Sequence, residues 1–384
     1  MSSKVPFELM PIDEESVNND SLSRPSTSYS YPPIDAKYSS LPSDNIPTNS
    51  DSDPVQRFAH LGLEITSGII SNVIAHPCIV LRRQCQVNRK ASRYHLSPLT
   101  FIPVVIRLQN RQGLICLWKG CSSIFILRGC SAALETFIAE ITPLPREVKS
   151  RISLKQLSQH LLLKLITYGI LTPFYCSSLV ETVQSDIASE KPGVLDCLKE
   201  GLCRLFKWGT PRSTRLFPMW QLVGPTALHG CSVYILSSLI HSLLRWMRSV
   251  KDKPTLGMEG ADFLTNQSAT SAYLENLSML HLSSFIASTI LYPGETILHR
   301  LYLQGTRTII DDLDTGAAVL PVISKYEGVS DCFHTIINEE GAFGLYKGFG
   351  ALLLEFALQA FILKVAQISF RELESLLRPS VPRR

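Results

Sequence analysis

The stretch His76-Pro-Cys-Ile-Val-Leu-Arg-Arg-Gln-Cys-Gln-Val-Asn88 sets a proline inside an apolar run and places two arginines, Arg82 and Arg83, behind it. Single charges interrupt other apolar stretches: Glu64, Arg128, Glu135, Lys164, Glu355 and Lys364. A charge inside a membrane-length helix is costly and faces a bundle interior or a water-filled cavity. The chemistry such residues offer is ion pairing and contact with a polar solute. Arg128 and Glu135 stand seven residues apart, hence on one helix face, and predict a polar stripe turned toward a cavity.

Covalent chemistry finds no support. The chain has no P-loop, no Gly-x-Gly-x-x-Gly before a strand–helix pattern, no Gly-x-Ser-x-Gly and no His-Glu-x-x-His. His76, His160, His229, His281 and His299 have no carboxylate or cysteine at ligand spacing, so they read as polar groups of a helix bundle. The ten cysteines form no Cys-x-x-Cys pair and read as small apolar residues. No catalytic residue, metal ligand or cofactor site is expected.

The elements that carry these charges are apolar. Of 384 residues, 45% are hydrophobic and only 18% charged, below the roughly 25% of ordinary globular domains. The net charge of +4 is uneven: residues 1–54 hold three bases against nine acids, a net of −6 that leaves +10 for the remainder. A basic body suits anionic lipid headgroups. Nucleic-acid binding is the weaker reading and no such partner is expected, because no basic run is interleaved with aromatics. Residues 1–54, rich in Ser, Pro, Asn and Asp, bury too little apolar area to order themselves and read as a disordered acidic tail. The tail has neither the apolar core of a secretory signal nor the Arg-rich face of a matrix transit peptide.

Six apolar segments follow, at roughly Phe58–Gln84, Cys121–Ile141, Leu154–Gln184, Leu216–Trp246, Tyr273–Leu303 and Phe349–Phe370. Leu216–Ile240 runs 25 residues and Asn276–Gly294 runs 19 without an Asp, Glu, Lys or Arg, against the ~20 that a bilayer core needs. A proline lies toward the end of the first, third and fifth segments: Pro77, Pro173 and Pro293, at intervals of 96 and 120 residues. A second element, Gly, four residues, aromatic, Lys, Gly, recurs at Arg111–Gly120 (RQGLICLWKG) and Glu339–Gly348 (EEGAFGLYKG). The middle copy, Cys197–Gly209, is blurred. These are three units of about 100 residues.

The proline element and the Gly-x4-aromatic-Lys-Gly element together resemble the mitochondrial carrier family, solute carrier family 25, over about residues 55–372. The third unit matches most specifically and the second least. The resemblance implies an all-α membrane protein: six transmembrane helices from three tandem repeats, pseudo-threefold around a central cavity. The divisions it implies are a tail at 1–54, repeats at 55–150, 151–250 and 251–372, and a short tail at 373–384.

In that family the odd helices carry Pro-x-acid-x-x-base, the proline bends the helix, and acids and bases of neighbouring odd helices pair into a ring that closes the cavity. The corresponding positions here are Ile79 and Arg82, Tyr175 and Ser178, and Glu295 and Leu298, so two of six charges survive. The ring geometry implies that Arg82 and Glu295 remain partners, a gate remnant. Arg83, one step round the helix, is expected to snorkel to headgroups. Counting seven residues from the Lys-Gly glycines reaches Leu127, beside Arg128, and Glu355. Arg128, Glu135 and Glu355 are therefore the candidates for lining a cavity.

The stretches AHPCIVLRRQCQVN, TPLPREV, PFYCSSLVETVQS and QGTRTIID narrow the resemblance to a divergent outer-mitochondrial-membrane branch of the family. It implies an adaptor without a complete gate, acting in fission–fusion balance, cristae organisation and lipid supply. The implied partners are membrane lipids, the mitochondrial fusion GTPases and the cristae-organising complex, with the N-terminal tail in the cytosol. A metabolite carrier with altered gates and a phospholipid-handling protein are the competing readings.

Overall fold

The computed structural model describes residues 54–146, 154–185, 193, 195–206, 216–252, 265–314 and 318–377. Residues 1–53 of the acidic tail and 378–384 of the C-terminal tail lie outside the described residues; Pro54 opens the first helix, and residues 373–377, expected in the C-terminal tail, continue the last one.

The chain folds as ten α-helices and one small hairpin among the described residues. α1 (Pro54–Val87) leads through a 3-10 turn to α2 (Ile102–Gln112), a second 3-10 turn at Leu114–Trp118, and α3 (Cys121–Ile141). α4 (Leu154–Val183), α5 (Asp196–Phe206) and α6 (Met219–Asp252) follow. α7 (Thr265–Ile290) and α8 (Tyr292–Leu303) lead into β1 (Ile309–Asp311) and β2 (Val319–Pro321), antiparallel with Ile310 opposite Leu320. α9 (Val329–Glu340), a 3-10 turn at Ala342–Tyr346 and α10 (Phe349–Leu377) end the fold. The broad helix packings are α1 on α10, α3 on α4, α4 on α6 and α6 on α7.

Among the described residues, three segments are long and apolar enough to cross a membrane: Lys155–Val183, Met219–Val250 and Ala342–Ser369. The other long apolar segments fall short of the six expected because polar groups interrupt them: Asn72 and His76 in α1, Arg128, Ser131 and Glu135 in α3, and Asn276, His281, Ser283 and Ser284 in α7. α6 and α10 turn large apolar residues outward, among them Leu228, Leu239 and Phe361. Such a surface requires an apolar environment.

The three prolines behave differently. Pro77 and Pro173 sit inside unbroken helices, whereas Pro293 lies in the first turn of α8, after a break at Leu291. Pro77 has no N–H to give the Val73 carbonyl four residues back. The indole N–H of Trp118 supplies the missing bond at 2.9 Å. The aromatic of the repeated motif thus completes the helix that the repeated proline interrupts.

The two clear copies of that motif fold alike. Gly113 and Gly341 end α2 and α9 at φ 80° and 74°, each N–H returning to a carbonyl of the last turn. Gly120 and Gly348 follow at φ 68° and 82°. Side chains bear no such conformation easily. A Cβ on Gly120 would also stand 2.6 Å from the Thr182 methyl, and one on Gly348 would stand 2.8 Å from Cys85 Cβ. The residue before each proline reaches the carbonyl of the motif lysine, His76 to Lys119 O at 2.9 Å and Tyr292 to Lys347 O at 2.7 Å.

Candidate functional site

The charges converge where the last turns of α1 meet the first turn of α8 and the early part of α10. Arg82, fully buried on α1, places Nη2 3.3 Å from Glu295 Oε1 on α8 and 3.7 Å from Glu355 Oε2 on α10. Glu355, expected to line a cavity, is 1% exposed and takes part in this charge cluster.

Arg83 does not snorkel. It is buried, with Nη1 3.1 Å from Thr182 Oγ1 and 3.5 Å from Ser178 Oγ on α4. α1 is covered by its neighbours here, so no path leads to headgroups, and the α4 hydroxyls accept the guanidinium instead. Ser178 is the position where the resemblance would put a base; Arg83 brings a cation to the same place from another helix.

A cavity of about 80 Å³ lies beside this cluster, lined by Arg83, Tyr175, His229, Glu295, His299 and Tyr302 among others. It has room for only a few waters, far below the roughly 300 Å³ at which small-molecule sites begin. Arg128 and Glu135 do not line it. Glu135 points at α4, where Lys164 Nζ stands 2.8 Å from Oε1 with both side chains buried. Arg128 is half-buried on α3. The stripe predicted from their spacing therefore divides, since α4 covers the Glu135 end.

Below the cavity the helix ends are tied together. Lys119 donates to the Gln184 carbonyl at the end of α4 at 2.7 Å. Lys347 donates to the Asn88, Arg89 and Ala91 carbonyls after α1 at 3.1–3.2 Å and meets Glu340 at 2.5 Å. Each motif lysine thus places its charge at the negative C-terminal end of a proline-bearing helix belonging to another unit. Arg300 adds a forked pair to Glu340 and a bond to the Gln86 carbonyl at 2.9 Å.

The hairpin after α8 completes the closure, and nothing in the motif analysis anticipates it. Asp311 accepts from Ser185 Oγ at 2.5 Å, Gln112 Nε2 at 2.9 Å, Lys119 Nζ at 3.1 Å and Gln84 Nε2 at 3.4 Å. One carboxylate therefore joins α1, the α2 connector, the Lys-Gly turn and the end of α4. Ser185 N–H adds a backbone bond to the Ile309 carbonyl at 2.8 Å. Ile310 packs with Val87, Leu179 and Val183, while Leu313 packs with Leu81, Phe101 and Leu108. Asp314 accepts from Ser92 N–H at 2.6 Å and Ser92 Oγ at 2.8 Å. Burial alone would raise the Asp311 carboxyl, but Lys119 and the hydrogen bonds from Ser185 and Gln112 hold it below its ordinary value. Glu340 is likewise lowered: burial pushes it up, and Arg300 and Lys347 outweigh that. The only advance sign of Asp311 is its place in QGTRTIID, a stretch without internal periodicity.

The histidines serve the bundle. His160 bonds to the Pro145 carbonyl, His229 to Leu291, His281 to Phe356 and His299 to the Gln86 side chain. Among the described residues no group of three His, Cys, Asp or Glu side chains is placed to hold a metal ion.

The family model for mitochondrial carrier protein matches residues 54–142 and 270–373. The stretch it passes over contains the blurred middle motif. Mitochondrial outer membrane protein SLC25A46 of Danio rerio is 46% identical over 324 residues, 84% of this chain and 80% of its own. The Homo sapiens protein of the same name is 46% identical over 323 residues, covering 84% and 77%. Solute carrier family 25 member 46-B of Xenopus laevis is 45% identical over 323 residues, covering 84% and 78%.

Proposed function

We propose that this chain, which belongs to the mitochondrial carrier family, keeps the all-α carrier fold without its transport cycle and acts as an adaptor in the mitochondrial outer membrane. Its six long apolar segments, at 55–150, 151–250 and 251–372 in pairs, form the membrane body, and the acidic residues 1–54 face the cytosol. Its partners are membrane lipids, the fusion GTPases and the cristae-organising complex, through which it bears on fission–fusion balance, cristae organisation and lipid supply.

One observation carries the reading: the ends of α1, α4 and α8 are closed by a hairpin bound through Asp311 to four side chains from four other segments. A carrier must part those ends in every cycle. A ring of exposed ion pairs opens readily, because each pair is worth about 0–1 kcal/mol. Hydrogen bonds to a buried charge are worth about 1.5–3 kcal/mol each, and here several must break together. The cavity above the closure is also too small for a metabolite. The names of the Danio rerio and Homo sapiens relatives, which place those proteins in the mitochondrial outer membrane, support the location.

Liposomes containing the purified protein are expected to show no saturable exchange across a broad panel of anionic, cationic and nucleotide solutes. Robust counter-exchange that Arg83→Ala abolishes would overturn the reading in favour of a carrier with altered gates. In intact mitochondria, added protease should clip residues 1–54, and proximity labelling from the chain should mark fusion GTPases and the cristae-organising complex. A protected tail, or labelling confined to matrix proteins, would remove the location and the partners.

A further inference from the structure

α7 and α10 are neighbours that hardly pack. They are pinned at one level by Gln367 Nε2 to Ser278 Oγ at 3.0 Å. At another, His281 Nε2 meets the Phe356 carbonyl at 3.2 Å and the Phe285 and Phe356 rings stand edge to face at 4.9 Å. Between the two pins the helices part around a groove of about 680 Å³. Its walls are apolar: Leu282 and Phe285 from α7, and Phe356, Ala357, Ala360 and Phe361 from α10. The two alanines leave the space unfilled, and Leu282 and Phe361 stand open at its sides, 46% and 66% exposed. One cation, Lys364, lines the groove beside the Gln367 pin.

Dimensions select the occupant. From Phe356 to Gln367 is eleven residues, about 16 Å along the helix axis, which is close to half of the ~30 Å hydrocarbon core. Lys364 lies five residues, about 7 Å, before the end of the Ala342–Ser369 span, a distance that a long lysine side chain bridges by snorkelling to the headgroups. A groove of 680 Å³ over about 16 Å has a cross-section of about 40 Å², half of the ~80 Å² that a helix 10 Å wide occupies. A second helix does not fit; one or two extended acyl chains do. The body outside residues 1–54 carries +10, which favours an anionic headgroup at the mouth.

We propose that the groove between α7 and α10 binds one anionic glycerophospholipid of the adjacent leaflet, its acyl chain against Ala357, Ala360 and Phe285 and its phosphate on Lys364. The site rests on α7 and α10 spanning the membrane and is independent of the adaptor reading. It shares no residue with the Arg82 cluster and none with the lining of the small cavity.

The test uses the full chain in phosphatidylcholine nanodiscs doped with phosphatidylserine that carries a diazirine in one acyl chain. Irradiation should place adducts on peptides covering Ser278–Phe285 and Leu353–Gln367. Lys364→Glu, at an exposed position, should lower this labelling at least about fivefold, the factor corresponding to about 1 kcal/mol per basic residue at an anionic surface. The same variant should leave labelling by diazirine phosphatidylcholine unchanged. Ala360→Phe, which fills the groove, should abolish the adducts while unfolding temperature and elution volume stay those of the parent. Labels spread evenly over the lipid-facing helices would overturn the proposal. So would equal labelling by both lipids with no effect of Lys364→Glu, or a cross-link from Phe361→Cys to a protein helix in place of lipid. Failure here leaves the exchange assay untouched, so the two readings fall separately.

Discussion

Lys119 Nζ lies 3.1 Å from Asp311 Oδ2, a buried ion pair that joins the first motif copy to a hairpin 192 residues further along the chain. Asp311→Asn keeps the size and removes the charge, which leaves Lys119 beside a neutral amide. Removing one partner of a buried pair costs about 3–5 kcal/mol, and the Gln184 carbonyl, which also accepts from Lys119, should hold the loss near the lower end. Thermal unfolding in detergent measures it. An unchanged midpoint would show that the hairpin is not what fastens these helix ends.

The same carboxylate sets an acid dependence. Its folded pKa is depressed below the ordinary ~3.9, so the unfolded chain binds the proton first as pH falls. The stabilisation is fully present above the unfolded pKa and is lost as pH drops through the folded one. Glu340 is lowered in the same direction and adds to the effect. Unfolding midpoints should be flat from pH 7 to about 5 and fall below about pH 4. In Asp311→Asn the fall should be shallower; an identical slope would remove Asp311 from the account.

Arg82 serves two carboxylates, and this makes its variants unequal. Arg82→Leu takes the cation from Glu295 and from the more deeply buried Glu355, which the Gln359 amide at 3.5 Å does not neutralise, and should cost about 3–5 kcal/mol. Glu295→Leu should cost less, because Arg82 keeps Glu355 at 3.7 Å and Glu295 is itself 12% exposed. The double variant should recover only part of the Arg82→Leu loss, and adding Glu355→Gln should recover more. Steady-state abundance and unfolding midpoint rank the four proteins. Equal damage from the two single changes would exclude Glu355 from the cluster.

How far these relationships could be read in advance differs residue by residue. The places of the long helices follow from long, mainly apolar runs that single charges do not break. The approach of Arg82 to Glu295 is implied by proline spacing read through the family pattern; what the pair does in the protein is not. The direction of Arg83 depended on Ser178 and Thr182, about a hundred residues away on a helix whose contact with α1 no local pattern encodes. Glu135 and Lys164 were both visible as charges in apolar runs, but their pairing needed α3 and α4 to be neighbours. Asp311 was silent because its four partners come from distant segments. The break at Pro293, unlike the continuous helices at Pro77 and Pro173, is also set by surroundings, with His229 bonding the Leu291 carbonyl at 3.3 Å.

Gly120 is held against α4 by two independent constraints, and they can be separated. Its φ of 68° is left-handed, which costs a side chain roughly 1–2 kcal/mol. A Cβ would also meet the Thr182 methyl at 2.6 Å. Gly120→Ala should therefore destabilise by more than the conformational term alone. Thr182→Ser deletes the methyl and keeps the hydroxyl that accepts from Arg83, so adding it should return part of the loss but not the backbone share. No rescue by Thr182→Ser would mean that the conformation, not the contact, demands glycine there.

Glu135 and Lys164 offer a cleaner cycle, because their ion pair at 2.8 Å is closed on both sides. The ammonium also stands 5.7 Å from the centre of the Tyr234 ring, which gives it a weak second partner. Glu135→Leu should cost about 3–5 kcal/mol by leaving a cation in the α3–α4 interface, and Lys164→Leu a similar amount by leaving a carboxylate. The double change to leucine strands neither charge and should sit close to the parent, since apolar residues of similar volume replace buried pairs at little cost. Unfolding midpoints of all four proteins in detergent give the coupling energy directly. Additive losses would show that the two side chains are solvated separately, and Glu135 would return to the list of groups that face water inside the bundle.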